Sequence, residues 1–467
     1  MSTSTISPGP PVQSTGSPDA LLPPLRDPLG DRVPEPVARR AVHQAQAALG
    51  LLRPATPPPT AKPLASVRGE PPPRVVLGFG LGCDSSAILA RWLTDPASRD
   101  FELHELAVIT GMTGQEWPAT RRLVEQHLLP LMAANGVRYL QVARRGPRQA
   151  DGVDILSDTR SPDRLHLVGA WTLAHELFDG ALVPQTTGDR LCSQHFKAWP
   201  LDTVIGELTQ GRPYRHVMGY ELGEARRAER DARYNTALRT GEYPLREWDG
   251  GWDRARAQAF LRATFGVESW VKSACTYCPF ALATKAGQAE TVARFVDEPD
   301  AGVLALVMEW VATALNATQG LIKGQRLLSL LRASAGTAAV LTAFERQLAA
   351  LPWAVYDVRR TLSPRTDGKA NHARSVRVLD IGPAEQMHTR LDQRARCAGV
   401  PVTVGDPAFA DDAHPRAWLR RREPHRLAQG APTAEQFLTV APATALSKTG
   451  PAFPAAWTAA SQLHLTA

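Results

Sequence analysis

The chain has 467 residues, of which 43% are hydrophobic and 21% charged, a composition typical of a globular protein with roughly two or three domains. No apolar run approaches the roughly 18 residues that a membrane-spanning helix needs, and residues 1–5 lack the charged and apolar regions of a secretory signal. The 5 cysteines are too few for a disulfide framework, so we expect a cytoplasmic protein with no membrane partner. A formal charge of +7 allows an anionic partner such as nucleic acid, although abundant arginine can also follow from genomic composition.

Residues 1–73 are rich in proline, serine and glycine, and we predict a disordered tail there. Within that tail, residues 35–52 carry small apolar side chains at helical spacing. The spacing predicts one helix, and whether it docks on the core or forms only transiently stays open.

A strand, a glycine-rich turn and a helix start follow in residues 75–93. Val75, Val76 and Leu77 form a short apolar run suited to a buried strand. The turn contains Gly80 and Gly82, and residues 84–86 can cap the next helix. Glycines allow close backbone approach, and free N–H groups of a first helical turn attract anions. This order therefore predicts an anion-binding site.

Further strands are expected at residues 103–109, 137–142 and 214–218, with a helix at about 118–135 between the first two. The alternation of strands and helices predicts an α/β fold with a doubly wound, mostly parallel sheet. In such sheets ligands bind beyond the carboxyl ends of the strands, where the glycine loop would lie.

The last third of the sequence does not continue the alternation of strands and helices. Residues 286–405 are predicted to form a mainly helical accessory subdomain, and residues 406–467 an extended tail rich in proline and alanine. Helices are expected at 291–296, 303–315, 324–331, 337–348 and 383–398, and a pair of alternating strands at 354–359 and 375–381.

The glycine loop fits neither of two common nucleotide patterns, because it lacks the lysine of the P-loop and the third glycine of the dinucleotide fingerprint. Residues 80–85, GLGCDS, instead resemble the S-G-G-x-D-S loop of the adenine nucleotide alpha hydrolase-like superfamily, which comprises PP-loop ATP pyrophosphatases and phosphoadenosine phosphosulfate (PAPS) reductases. Gly80 stands for the first serine and Leu81 for the first glycine. Residues 112–120, MTGQEWPAT, resemble the D-T-G-x-E-x-x-x-T loop of the same family, with Met112 for aspartate.

Two more segments extend the resemblance, which covers about residues 74–285. Residues 190–200 match R-x-C-x-x-x-x-K-x-x-P, and residues 219–227 match G-x-x-x-x-E-x-x-R. The resemblance implies ATP with Mg²⁺, or a sulfated adenylate (PAPS or APS), as the ligand. It also implies that Asp84 orients a metal or the nucleotide and that Lys197 neutralises phosphate charge. The implied nucleotide-binding residues are Gly80, Gly82, Cys83, Ser85, Ser86, Thr113, Gly114, Glu116, Arg190, Gly219, Glu224 and Arg227.

Cysteine spacing adds a second kind of candidate site. Cys275 and Cys278 form a C-x-x-C pair, and Cys192 and His195 form a C-x-x-H pair. Together they supply enough ligands for one tetrahedral zinc ion. The same cysteines could hold an iron–sulfur cluster, as in several members of the superfamily, and redox thiols or buried structural thiols stay open.

The resemblance implies ATP pyrophosphatase chemistry, in which an unknown acceptor is adenylated at the α-phosphate and pyrophosphate leaves. A sulfonucleotide reductase is the first alternative, although a reductase commonly carries a C-terminal E-C-G-x-H-like motif and Cys397 lies in RARCAG. The second alternative is a non-catalytic nucleotide-binding module of a nucleic-acid modification or defence assembly, with a nucleic acid or protein partner.

Overall fold

The computed structural model describes residues 33–51, 71–186, 190–365, 370–405 and 413–462. These residues form two six-stranded sheets with helices around them. Within the described ranges, no helix combines the length and apolar character needed to cross a membrane.

The first sheet is mostly parallel and lies in the amino-terminal half. Its strands are β1 (Val75–Gly78), β2 (Leu106–Gly111), β3 (Arg138–Arg144), β4 (Val153–Thr159), β5 (Tyr214–Met218) and β6 (Arg239–Glu242). Their order is β4-β3-β2-β1-β5-β6, and every neighbouring pair is parallel except β3 with β4. The predicted α/β fold with a mostly parallel sheet is therefore confirmed. The strand order changes direction at β1, and in sheets of this type ligands bind in a crevice at the carboxyl end of that strand.

Helices cover both faces of this sheet. The helices of the amino-terminal half are α1 (Glu35–Ala48), α2 (Cys83–Thr94), α3 (Pro118–Leu123), α4 (Leu129–Ala134), α5 (Leu173–Gly180), α6 (Leu191–Ser193), α7 (Trp199–Thr209), α8 (Ala225–Ala232), α9 (Pro244–Glu247) and α10 (Arg254–Phe265). Val75 and Leu77 of β1 pack in the cluster that contains α2 and α10, whereas Val76 packs with α7. Because side chains alternate between two covered faces, β1 is apolar at successive positions.

Helix α1 docks on the folded core. Val42 and Ala45 are fully buried, and Gln46 Nε2 donates to Asp179 Oδ1 at 2.8 Å and to the carbonyl of Thr444 at 2.9 Å. The expected disordered tail therefore contains a docked helix at residues 35–48, while its residues 1–32 and 52–70 lie outside the described residues.

In the carboxyl-terminal half, four helices precede a second sheet, and further helices lie between and after its strands. Its elements are α11 (Lys285–Asp297), α12 (Pro299–Leu315), α13 (Leu327–Arg332), α14 (Ala338–Ala350), β7 (Trp353–Pro364), β8 (Ala370–Gly382), α15 (Ala384–Cys397), β9 (Val402–Val404), β10 (Pro415–Arg420), α16 (Pro424–Ala428), β11 (Thr433–Pro442), β12 (Lys448–Thr449) and α17 (Phe453–Gln462). The sheet is antiparallel, in the order β12-β8-β7-β11-β10-β9.

The structure differs here from the sequence-based expectation. The predicted helices and the β7–β8 pair are present, but the segment expected to be an extended tail supplies β10 and β11. Strand β11 pairs with β7 from Thr433 opposite Leu362 to Pro442 opposite Trp353, so it lies inside the sheet. The carboxyl-terminal half is therefore a helical layer joined to an antiparallel sheet rather than a mainly helical subdomain with a tail.

One hydrophobic core joins the two halves. It includes Trp117 and Phe196 from the first half, Leu306 from α12, and Tyr356 and Phe437 from the second sheet. Helix α12 touches both α5 and β11. The loops at the edge of the first sheet are thus supported by the carboxyl-terminal half.

Candidate functional site

Three loops leave the first sheet at the same edge. Residues 79–82 follow β1, residues 112–117 follow β2, and residues 219–224 follow β5. Gly78 pairs with Ile109 of β2 and with Met218 of β5, so these parallel strands end side by side. Helix α2 begins directly after the first loop, and among the described side chains none caps its amino end. Of the N–H groups in its first turn, that of Cys83 donates to the carbonyl of Val271 and that of Ser86 donates to the carbonyl of Gly82. The N–H groups of Asp84 and Ser85 are the ones that could bind an anion.

The first loop turns at a leucine rather than at one of its glycines. Leu81 has a φ of 64°, in the left-handed region that glycine occupies easily and leucine does not. This conformation costs a non-glycine residue about 1–2 kcal/mol. The buried leucine side chain packs in the α2 cluster, and this packing holds the turn.

Two glycines permit close packing around this loop. A Cβ atom on Gly82 would lie 2.5 Å from the backbone nitrogen of Ser273, and one on Gly219 would lie 2.8 Å from that of Ser85. Residues 270–273 thus cross the loop, where Cys83 N donates to the carbonyl of Val271 at 3.3 Å. Glycine is required at both positions because a larger residue would displace backbone atoms.

Asp84 is the electrostatic centre of the site. Its carboxylate is 15% exposed and accepts a hydrogen bond from Arg254 at 2.5 Å. Burial raises the pKa of Asp84, Arg254 and Lys272 lower it, and Glu224 and Glu221 add to the rise, so that the pKa is about 6. Three carboxylates and two cations therefore lie around the amino end of α2.

Several polar atoms here are buried without a hydrogen-bond partner among the described residues. They are Asp84 Oδ1, Ser86 Oγ and Glu224 Oε2. Ser85, in contrast, is used within the loop, because its Oγ accepts from Gly80 N at 3.2 Å and donates to the Gly82 carbonyl at 3.3 Å. The unpartnered carboxylate oxygens suit a divalent cation such as Mg²⁺, and the free hydroxyl suits an anionic oxygen.

The second loop is closed by its own carboxylate. Glu116 accepts hydrogen bonds from Thr113 N at 2.8 Å, Thr113 Oγ1 at 2.7 Å and Gly114 N at 3.2 Å. Glu116 also forms a β-bridge with Cys275, and Thr276 N donates to the carbonyl of Gln115 at 3.1 Å. The contacts of Thr113, Gly114 and Glu116 therefore shape the loop and fix it to the C-x-x-C segment.

Lys197 lies beside the cysteines. A Cβ atom on Gly111, at the end of β2, would be 3.2 Å from Lys197 Cα. Burial raises the pKa of Cys275 to about 12, and the charge of Lys197 opposes that shift. Burial and the neighbouring Cys278 likewise raise the pKa of Cys192. The structure thus brings Lys197 to the thiols, whereas the cations that act on Asp84 are Arg254 and Lys272.

The four predicted metal ligands are not gathered around one point. Cys192, Cys275 and Cys278 influence one another electrostatically, but the described part of the chain contains no group of three or more His, Cys, Asp or Glu residues spaced to hold a metal ion. His195 is exposed, and its Nδ1 lies 3.6 Å from Glu176 Oε1. The geometry therefore gives no support to the zinc or iron–sulfur centre.

The remaining arginines of the predicted site make local contacts. The Arg190 guanidinium lies 3.9 Å from the ring centroid of Phe280. Arg227 forms a 2.6 Å ion pair with Glu224 and lies 4.6 Å from the ring centroid of Tyr220. Arg227 therefore borders the site at the start of α8, and Arg190 lies next to the C-x-x-C segment.

The sequence-based interpretation missed Arg254, Lys272 and Glu221. Lys272 precedes Cys275 by three residues, so an anion-binding hypothesis could have included it. Arg254 opens α10, and only the packing of α10 on α2 brings it to Asp84. No spacing rule in the sequence signals that contact.

Comparisons of this chain with protein-family models, with curated proteins and with solved structures each found no match. The fold and the geometry of the loops therefore carry the functional argument.

Proposed function

We propose that this protein is a PP-loop/PAPS reductase-like enzyme that binds an adenine nucleotide at the amino end of α2 and transfers its adenylyl group to an acceptor. The observation that carries the proposal is the set of buried, unpartnered polar atoms of Asp84, Ser86 and Glu224 at the turning point of a parallel sheet. Such a crevice is where nucleotides bind in sheets of this type.

The mixture of charges favours ATP with Mg²⁺ as the ligand. A polyphosphate without a cation would meet the carboxylates of Asp84, Glu221 and Glu224 as well as the cations of Arg254 and Lys272. A metal-complexed polyphosphate suits both signs of charge. The unpartnered oxygens of Asp84 and Glu224 would hold the Mg²⁺ ion, which when bound neutralises charge on the pyrophosphate leaving group.

The protein groups then have distinct roles in the transfer. The backbone N–H groups of Asp84 and Ser85 in the first turn of α2, together with the Ser86 hydroxyl, would orient the phosphates. An oxygen of the acceptor would attack the α-phosphorus while the bond to the pyrophosphate breaks. Lys272 and Arg254 would stabilise the negative charge that builds up on the departing group.

The thiols argue against the reductase alternative. A sulfonucleotide reductase needs a thiolate nucleophile. Burial raises the pKa of Cys83 and of Cys275 to about 12, so both stay protonated near neutral pH. Cys397 is exposed, but it lies in RARCAG rather than in the E-C-G-x-H-like motif that reductases commonly carry. We therefore favour adenylation over sulfate reduction.

Calorimetry of the purified full chain with ATP, APS and PAPS, with and without Mg²⁺, tests this proposal. We expect Mg²⁺-dependent ATP binding, weakened at least tenfold in Asp84→Ala and Ser86→Ala but unchanged in Asp392→Ala, whose carboxylate is exposed on α15. Pyrophosphate release is then measured with candidate acceptors. Absence of ATP binding would refute the proposal, and thioredoxin-dependent sulfite formation from PAPS would establish the reductase instead.

A further inference from the structure

An exposed stripe of positive charge runs along α8, next to the candidate site. Arg226, Arg230 and Arg233 are all exposed, and they recur at the three- and four-residue intervals that place side chains on one helical face. At 1.5 Å per residue the stripe spans about 10 Å. It ends at Tyr234, which is 72% exposed, and Leu238, which is 44% exposed. We call these five residues the basic–aromatic surface.

This surface starts at the crevice. Helix α8 begins directly after Glu224, whose carboxylate raises the pKa of Asp84. Gly219, at the other end of the same loop, approaches the backbone of Ser85. A polymer lying on the stripe would therefore lead straight to the proposed nucleotide site.

The turn that carries the aromatic ring is held by the side chains of the two residues that follow Tyr234. Asn235 Oδ1 accepts from Arg239 at 3.0 Å and from Gly241 N at 2.8 Å. Thr236 Oγ1 accepts from Leu238 N and from Arg239 N, each at 3.1 Å. Because the neighbouring residues are fixed in this way, Tyr234 is presented to solvent by an ordered turn.

Arg230 Nε donates to the carbonyl of Arg226 at 3.1 Å, and the terminal guanidinium nitrogens of the three arginines can bind an anionic ligand. None of them forms an ion pair with a carboxylate among the described residues, in contrast to Arg227, which pairs with Glu224. Arginines spaced along a line bind successive phosphates, and an exposed aromatic ring stacks on a base. An acidic peptide would use the arginines but would not need the ring.

We infer that the basic–aromatic surface binds single-stranded nucleic acid, and that this strand carries the acceptor group to the crevice. The second clause rests on the proposed function, and the first does not. The phosphates contact Arg226, Arg230 and Arg233, and one base stacks on Tyr234. Unpaired bases are required because the ring must reach a base face that a duplex keeps stacked.

Fluorescence anisotropy with the full chain and labelled strands of about 20 nucleotides, as RNA, as DNA and as a duplex, tests the inference. The test variant reverses three charges (Arg226→Glu, Arg230→Glu, Arg233→Glu). Its control reverses three exposed arginines elsewhere (Arg346→Glu, Arg390→Glu, Arg396→Glu). We expect the test variant to weaken single-strand binding at least tenfold and to flatten its dependence on salt between roughly 50 and 200 mM, while the control stays within about twofold of wild type.

Removing the ring distinguishes stacking from charge attraction. Tyr234→Ala should weaken single-strand binding by roughly 5- to 150-fold and leave duplex binding unchanged. The inference is overturned if both triple variants lose affinity equally, if the duplex binds as tightly as the single strand and Tyr234→Ala has no effect, or if polyglutamate displaces the strand at equal charge concentration.

The two proposals fail separately. ATP binding is measured by calorimetry for every variant, and the triple variant on α8 should retain it. Strand binding without ATP binding would refute the proposed function alone. ATP binding without strand binding would refute this inference alone. The strand should also stimulate pyrophosphate release by the wild type but not by the triple variant on α8, and the absence of stimulation would refute the acceptor clause.

Discussion

Replacing Asp84 by asparagine should make the protein more stable above neutral pH and less sensitive to pH below it. Burial raises the pKa of Asp84 to about 6 from an ordinary value of 3.8. Each pKa unit corresponds to about 1.4 kcal/mol, so ionising Asp84 in the folded state costs about 3 kcal/mol. Because the folded state binds this proton more tightly than the unfolded state, the contribution to stability is complete below the unfolded pKa. It declines as the pH rises and is lost above about pH 6.

The comparison of the two proteins isolates this effect. Asparagine has nearly the shape of a protonated aspartate, so the free energies of unfolding should be similar at about pH 4, and Asp84→Asn should be more stable by about 3 kcal/mol at about pH 7.5. Urea unfolding monitored by tryptophan fluorescence measures the difference, since Trp270 donates to the carbonyl of Leu81 in the loop. Asp392→Asn, an exposed substitution on α15, serves as the control. A difference that stays constant between these pH values, or shrinks as pH rises, would refute the reasoning.

Three further predictions concern the loops and the thiols. Leu81→Ala should lower the free energy of unfolding by about 2–5 kcal/mol. Leu81→Gly should lower it by about 1 kcal/mol less, because glycine accepts the φ of 64°. Urea unfolding that finds the glycine variant less stable than the alanine variant would contradict this prediction. Glu116→Ala leaves three loop donors without their acceptor and should lower the free energy of unfolding by about 2–3 kcal/mol. Glu116→Gln keeps one acceptor oxygen and should lower it by about half as much. Equal shifts of the melting temperature for the two variants would show that the carboxylate does not hold the loop. Alkylation at about pH 8, followed by mass spectrometry, should modify exposed Cys397 first and leave Cys83 and Cys275, each with a pKa of about 12, largely unmodified. Cys397→Ser should remove the fast reaction, and rapid labelling of Cys275 would contradict its raised pKa.

Strands of the first sheet could be predicted where they are buried on both faces, because such a strand is a continuous apolar run in the sequence. Val75–Gly78 and Leu106–Gly111 have this character. β6, with the sequence RTGE, contains no apolar side chain, and only its partner β5 makes it a strand. β11 was obscured by the alanine- and proline-rich segment around it, although it pairs with β7, some 80 residues earlier. The strand conformation of β6 and β11 therefore follows from pairing with other segments and not from their local sequence pattern.

The candidate site was likewise predictable only in part from the sequence. Loop residues that follow consecutive strands could be placed together in advance, because parallel strands end at one edge. The C-x-x-H spacing of Cys192 and His195 suggested a shared ion, but spacing along the chain does not fix the direction of a side chain, and His195 faces Glu176. Arg254 reaches Asp84 through helix packing alone, across a separation of 170 residues. Electrostatic partners of this kind depend on the tertiary fold.

The docked helix α1 has a consequence for biosynthesis. The acceptor of Gln46 at Thr444 is synthesised 398 residues after Gln46 itself. At translation rates of about 5–20 residues per second, that delay is about 20–80 s. For most of this interval β8, the strand that α1 contacts, has not been synthesised. Expressed fragments that end before β8 would keep the apolar face of α1 exposed and, we expect, would be captured by chaperones.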